Sequence, residues 1–124
     1  MDETVQTYFN AMQRGSEGED ELLALFADDA VYQEPFGRQT LEGRDAIAAW
    51  VRASRGQAPP ELVIDVERID VVGEVVEATW TCDSPIFARP TRGRDRFTIR
   101  EGKIARLESE ILQPPVMRGE VHDS

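Results

Sequence analysis

The sequence predicts a single cone-shaped α+β domain, with three N-terminal helices packed on one curved, mixed or antiparallel sheet. Three observations predict it. Helical patterns gather in the first half of the chain, and long alternating strands with tight turns follow. One strand changes the parity of its apolar residues, as a bulge that bends a sheet requires. Acidic side chains also fall on otherwise apolar strand faces, which a sheet covered by helices can enclose.

Val5, Tyr8, Phe9 and Met12 recur at helical spacing, so a first helix runs over 3–14 and stops at Gly15. A flexible acidic loop leads to a second helix over 20–27, with Leu22, Leu23, Leu25 and Phe26 inward, broken by Asp28 and Asp29. The next strand carries Tyr32, Glu34 and Phe36 on one face, and Pro35 with Gly37 ends it. Residues 40–42 form a short return strand. A third helix covers 44–55, with Ile47, Trp50 and Val51 inward and Gly56 at its end, and Ala58-Pro59-Pro60 is a stiff connector. Strands over 61–72 and 75–82 turn at Gly73-Glu74, and the apolar set moves from Leu62, Ile64 and Val66 to Ile69 and Val71. A bulge near Glu67-Arg68 follows. A connection with two prolines spans 83–90, and strands 91–100 and 103–112 turn at Glu101-Gly102. From Pro114 the chain reads as a loose tail, leaving a domain over 1–113.

At 124 residues the chain suffices for one core. Its 24 acids against 14 bases leave a net charge of −10, which repels phosphates and excludes nucleic acid and anionic membranes as partners. A lone cysteine, Cys82, forms no internal disulfide and fits a reducing compartment. No apolar run reaches membrane-spanning length, and the acidic start is unlike a targeting peptide, so the expected location is cytoplasmic. His122 has no second His or Cys to join it, so neither a metal site nor a cofactor is expected.

Three polar residues on different elements are expected to face the enclosed space: Tyr8, Glu34 and Asp95. Along 91–100 the arginines share one parity, while Asp95 shares the other with Phe97 and Ile99. Two carboxylates and a phenol suit proton abstraction next to a carbonyl. Glu34 is the candidate base, and Tyr8 and a protonated Asp95 are the candidate donors to the enolate oxygen. Tyr32, Phe36, Trp50, Trp80 and Phe97 are the candidate walls for a small hydrophobic ligand. The plainer alternatives are a Glu34 carboxylate bonded to backbone N–H groups or an arginine, an Asp95 paired with an arginine, and a Tyr8 that only packs. The row Arg92, Arg94, Arg96 and Arg100 is either a solvated face with ion pairs to Glu77, Glu108 and Glu110, or part of a dimer interface.

Leu25-Phe26-Ala27-Asp28-Asp29-Ala30-Val31-Tyr32-Gln33-Glu34-Pro35-Phe36-Gly37, followed by Gly43-Arg44-Asp45-Ala46-Ile47, resembles the nuclear-transport-factor-two-like superfamily. That superfamily includes SnoaL-like polyketide cyclases and ketosteroid isomerases. The resemblance runs from about Tyr8 to Ile111 and implies the cone fold and a homodimer through the sheet's outer face. The site is most similar to ketosteroid isomerase, in the placing of Tyr8 seven residues before Gly15, of Glu34 before Pro35-Phe36-Gly37, and of Asp95 before Arg96-Phe97. It implies a cofactor-independent isomerase with Glu34 as base, where that family has Asp. The cyclase and epoxide-hydrolase branches place an acid in the last strand after a turn like Gly102-Lys103-Ile104. Here that place holds Ser109. A ligand-binding or assembly module of the same fold is the non-catalytic alternative.

Overall fold

The computed structural model describes residues 2–55 and 59–119, so Gly56, Ala58 and His122 lie outside it. Helix α1 spans Asp2–Gln13 and buries Val5, Tyr8, Phe9 and Ala11, the stripe its spacing demands. A 3₁₀ turn at Gly15–Gly18 replaces the expected loose loop. It lies against α1 so closely that a Cβ on Gly18 would sit 2.3 Å from the Ala11 carbonyl oxygen. Helix α2 is short, Glu19–Ala24, and buries Leu22 and Leu23.

Strand β1 spans Phe26–Gln33, so the expected helix over 20–27 ends early and Asp28 and Asp29 lie in a strand. Tertiary contacts override the helical pattern here. The Arg44 guanidinium bonds to the Phe26 carbonyl at 2.6 Å and pairs with Asp28 at 3.0 Å, while the Ile104 amide takes the Leu25 carbonyl at 2.8 Å. Strand β2, Thr40–Glu42, returns antiparallel along β1, and α3, Arg44–Arg55, buries Ile47, Ala48 and Val51.

Four long strands of the sheet follow in two hairpins: β3, Val63–Val72, with β4, Val75–Asp83; and β6, Thr91–Arg100, with β7, Lys103–Gln113. The register of β3 on β4 slips between Val66 and Arg68, where the apolar parity changes, so Glu67 is the bulged residue. The order is β2-β1-β7-β6-β4-β3, with β1 parallel to β7 and the other pairs antiparallel. The sheet is open, with β2 and β3 at its edges, and is not a closed barrel. Three helices on this curved, mixed, mostly antiparallel sheet form the α+β cone.

The connection over 83–90 contains a further short strand, β5, Phe87–Arg89, which pairs with β8, Val116–Met117. The segment from Pro114, expected to be loose, thus returns to the body as far as Gly119. The Arg118 amide bonds to the Ile86 carbonyl at 2.8 Å, and Phe87 of β5 is buried. An apolar Phe87 and two backbone partners for residues 116–118 outweigh the disorder that two prolines encourage.

Candidate functional site

The alternation of β6 places Thr91, Gly93, Asp95, Phe97 and Ile99 on the covered face and turns its arginines outward. On the outer face Arg96 pairs with Glu77 at 2.8 Å, Arg94 with Glu110 at 2.7 Å and Arg92 with Glu67 at 3.2 Å, so three of the row's four arginines are taken up in cross-strand ion pairs. Asp95 is therefore left without a cationic partner among these side chains. It is 3% exposed, and its Oδ1 has no hydrogen-bond partner.

Burial pushes the Asp95 carboxyl up to about 6, against the opposing pull of the Trp80 indole N–H and the Ser109 hydroxyl. Ser109 of β7 is the register partner of Asp95, and it is buried. Trp80 of β4 lies directly across from Gly93, two residues before Asp95. Its six-membered ring rests on the glycine backbone, since a Cβ there would come within 2.2 Å of Cζ2. Its Nε1 is buried and reaches towards the Asp95 carboxyl without a well-aligned hydrogen bond among the described residues. This donor and the Asp95 carboxyl lie on the same face of two neighbouring strands, both enclosed, and the indole N–H favours the charged form of Asp95.

Tyr32 of β1 joins them. Its phenol is driven well above the ordinary range by burial, then by the Asp95 charge, with the Glu34 charge adding and a Ser109 hydrogen bond opposing. It stays protonated and is a hydrogen-bond donor throughout the working range. Trp50 of α3, half-buried, packs edge-on against the Tyr32 ring at 5.3 Å between centroids.

Glu34, 1% exposed, is held differently. Its Oε1 accepts the Phe36 amide at 2.5 Å, and its Oε2 accepts the Arg38 and Gln39 amides, each at 3.0 Å. Three of roughly four carboxylate acceptor positions are therefore used to fold the turn between β1 and β2. This is the backbone-bonded arrangement weighed as the plainer reading of Glu34. The same turn carries Phe36 outward, contrary to the expected shared face with Tyr32. Strand alternation stops at Gln33, and the Phe36 amide turns back to Glu34, leaving the ring 63% exposed beside Arg38.

Tyr8 is buried in an edge-to-face cluster with Phe9, Phe26 and Phe97, its ring centroid 5.0 Å from that of Phe97. This cluster occupies the space between helices and sheet where the ligand pocket was expected. Two open grooves lie elsewhere. One of about 470 Å³ runs between α1 and β3 around Phe9, Asn10 and Val66. The other, about 390 Å³, runs along the outer side of the Glu34 turn past Phe36, Arg94 and Glu110.

The structure thus brings Tyr32, Glu34, Trp80 and Asp95 to one region and sets Tyr8 with Phe97 next along the same interior. Phe36 stands apart. Ser109 is the member that sequence reasoning did not assign. Its inward parity, two residues after the buried Leu107, is the signal that could have found it. Among the described residues no group of three or more His, Cys, Asp or Glu is placed to hold a metal ion.

A family profile for the SnoaL-like domain matches residues 5–107. The chain belongs to the SnoaL-like domain family. No curated protein sequence matches it. Solved structures share the fold. A candidate polyketide cyclase from Sinorhizobium meliloti is 28% identical with a TM-score of 0.73, over 86% of this chain and 93% of that one. A candidate ketosteroid isomerase from Kribbella flavida is 17% identical with a TM-score of 0.69, over 98% and 86%. An LEH-like epoxide hydrolase from M. tuberculosis is 24% identical with a TM-score of 0.67, over 88% and 80%. The family contains isomerases, cyclases and hydrolases, and no helix among the described residues is long and apolar enough to cross a membrane.

Proposed function

We propose that this chain is a cofactor-independent proton-transfer enzyme, of ketosteroid-isomerase type, acting on a small hydrophobic carbonyl compound through an enolate. One observation carries the reading: Asp95 is a buried carboxyl with one oxygen unbonded and no cationic partner among the described residues, raised by burial towards neutrality. Near neutral pH it is ionised often enough to take a proton and weakly enough to return it.

In the proposed reaction Asp95 removes a proton from the carbon next to the carbonyl. The electron pair moves onto the carbonyl oxygen, and the Tyr32 hydroxyl stabilises that charge as a donor. Asp95 then returns the same proton to the far end of the conjugated system, so a β,γ-unsaturated ketone becomes its conjugated enone with no change in composition. The base is assigned to Asp95 rather than Glu34 because three amides already occupy the Glu34 carboxylate. Glu34 fixes the rim turn. Tyr8 and Phe97 pack edge to face in the apolar interior beside it.

A second reading follows from the likeness to the Sinorhizobium protein. The same enolate, formed on a longer polyketone, attacks a carbonyl within its own molecule and closes a ring. Both readings share the first step and both need Asp95.

The test is conversion of 3-cyclohexenone to 2-cyclohexenone, followed by the rise in ultraviolet absorbance, for wild type and Asp95→Asn. The proposal expects turnover in wild type and a loss of at least a hundredfold in the variant. Equal rates in the two proteins would refute it. No turnover on any enolisable ketone would turn the reading to a non-catalytic module.

A further inference from the structure

Ser109 stands between the two groups that the proton-transfer reading employs. In the sheet, β7 lies between β1 and β6. On the β6 side Ser109 is the register partner of Asp95. On the β1 side Tyr32 pairs with Leu107, two positions before Ser109 and on the same covered face. Directly opposed residues of an antiparallel pair have Cβ atoms about 5 Å apart, so a hydroxyl and a carboxyl on short side chains can meet, and a phenol reaches the diagonal position. Tyr32, Asp95 and Ser109 are all buried.

The Ser109 hydroxyl bonds to both neighbours. It has one proton to give and two lone pairs with which to accept. An ionised Asp95 only accepts, so it takes the Ser109 proton, and because its Oδ1 has no partner the bond falls on Oδ2. Burial and then the Asp95 charge hold the Tyr32 phenol well above its ordinary range, so Tyr32 keeps its proton and donates its hydrogen bond to Ser109. With Asp95 protonated the order turns round. A proton on Oδ1 would meet no acceptor among the described residues, whereas on Oδ2 it is directed at the Ser109 oxygen, and the Ser109 proton then turns to Tyr32. Every proton stays on its own oxygen, so only hydroxyl rotations are needed.

We infer that Ser109 is a positioning residue: its hydroxyl passes the Tyr32 hydrogen bond on to Asp95 and reverses that bond when Asp95 takes a proton. In the enolate reaction this releases the Tyr32 O–H at the step in which charge builds on the carbonyl oxygen. That consequence rests on the proton-transfer reading, whereas the chain of bonds stands without it. The other ionisable groups facing this interior are Glu34 of β1, Tyr8 of α1 and, further along β4, Cys82, whose thiol burial pushes up to about 11. β4 and α3 add the Trp80 and Trp50 indoles, which only donate. None of these groups is a cation that would take the Ser109 bond to Asp95 out of the account.

The experiment follows Asp95 by carbon-13 NMR of the full chain carrying carboxyl-labelled aspartate, titrated from pH 4.5 to 8. The wild-type midpoint is expected near 6. Ser109→Ala should raise it by about one pH unit, the scale of one hydrogen bond lost from the charged form. Ser109→Thr, which keeps the hydroxyl, should restore it. Tyr32→Phe should raise it by less in the wild-type background and by nothing in the Ser109→Ala background, because Tyr32 acts through Ser109. Raman difference spectra of wild type against Tyr32→Phe at pH 7.5 and pH 5 read the tyrosine doublet, which separates a phenol that donates from one that accepts. The Tyr32 doublet should pass from donor to acceptor as pH falls.

An equal midpoint in wild type and Ser109→Ala overturns the inference. So does a Tyr32→Phe shift of the same size in both backgrounds, which would mean that Tyr32 acts on Asp95 directly. A Tyr32 doublet identical at the two pH values overturns it without recourse to any Ser109 variant. Turnover of 3-cyclohexenone with an unmoved midpoint in Ser109→Ala defeats this inference alone. A Ser109-dependent midpoint and a switching doublet without turnover defeat the proton-transfer reading alone.

Discussion

Replacing Asp95 by Asn should make the protein more stable than wild type above pH 6 and remove that advantage in acid. The Asp95 carboxyl stands at about 6 in the folded protein against 3.8 for the unburied group. A raised carboxyl binds its proton more tightly in the folded than in the unfolded state. Its favourable contribution is fully present below 3.8 and is lost as pH rises through about 6. The gap of about two pH units, at ~1.4 kcal/mol per unit, is worth roughly 3 kcal/mol, or roughly 10 °C in melting temperature for a domain of this size. Asn cannot titrate, so any cost of seating its amide is constant with pH and every other group cancels between the two proteins. Urea unfolding of both at intervals from pH 3.5 to 8 gives the difference curve directly. Wild type should lose about 3 kcal/mol relative to the variant between pH 4 and 7, then run parallel to it. A flat difference, or one that grows towards acid, would refute the burial of an uncompensated carboxyl at 95.

Other perturbations test the surrounding framework. Glu34→Gln presents an amide N–H₂ to one of the three backbone donors its carboxylate now accepts, so it should cost about 3 kcal/mol in urea unfolding. A cost below 1 kcal/mol would show that the turn does not depend on it. Tyr32→Phe removes the donor next to Asp95 together with its hydrogen bond to Ser109 and should lower kcat about tenfold with KM little changed. An equal change in KM alone would place Tyr32 in ground-state binding. Ending the chain at Gln113 removes β8 and uncovers Phe87, which should cost about 2 kcal/mol in thermal unfolding. An unchanged melting temperature would mean that the β5–β8 pair is structurally idle.

The parts of the fold legible in the sequence are those in which local pattern and burial agree. The stripe of Val5, Tyr8 and Phe9, the parity change that marks the Glu67 bulge, and the inward Asp95 among outward arginines are all periodicity signals. The illegible parts depend on partners distant in sequence. Phe26 enters a strand because Arg44 and β7 hold the chain there, which no window around Phe26 contains. Phe36 leaves the interior because alternation does not continue through a turn held by a side-chain carboxylate. Residues 116–118 are ordered by β5, some thirty positions earlier. At the site, parity placed Asp95 on the covered face, whereas the seating of the Trp80 ring on Gly93 became visible only across the strand pair. Ser109 was read as the absence of an acid, although its inward parity already placed a hydroxyl opposite Asp95.

The most direct test of the central claim is the pH dependence of kcat/KM for isomerisation of 3-cyclohexenone by wild type. This parameter reports the ionisation of the free enzyme's essential groups. If Asp95 is the base, activity rises with pH and levels off above a midpoint near 6, and Asp95→Asn abolishes both the activity and the transition. An activity that falls as pH rises through 6 would mean that Asp95 acts by donating its proton, and a profile flat from pH 4.5 to 8 would remove it from the reaction altogether.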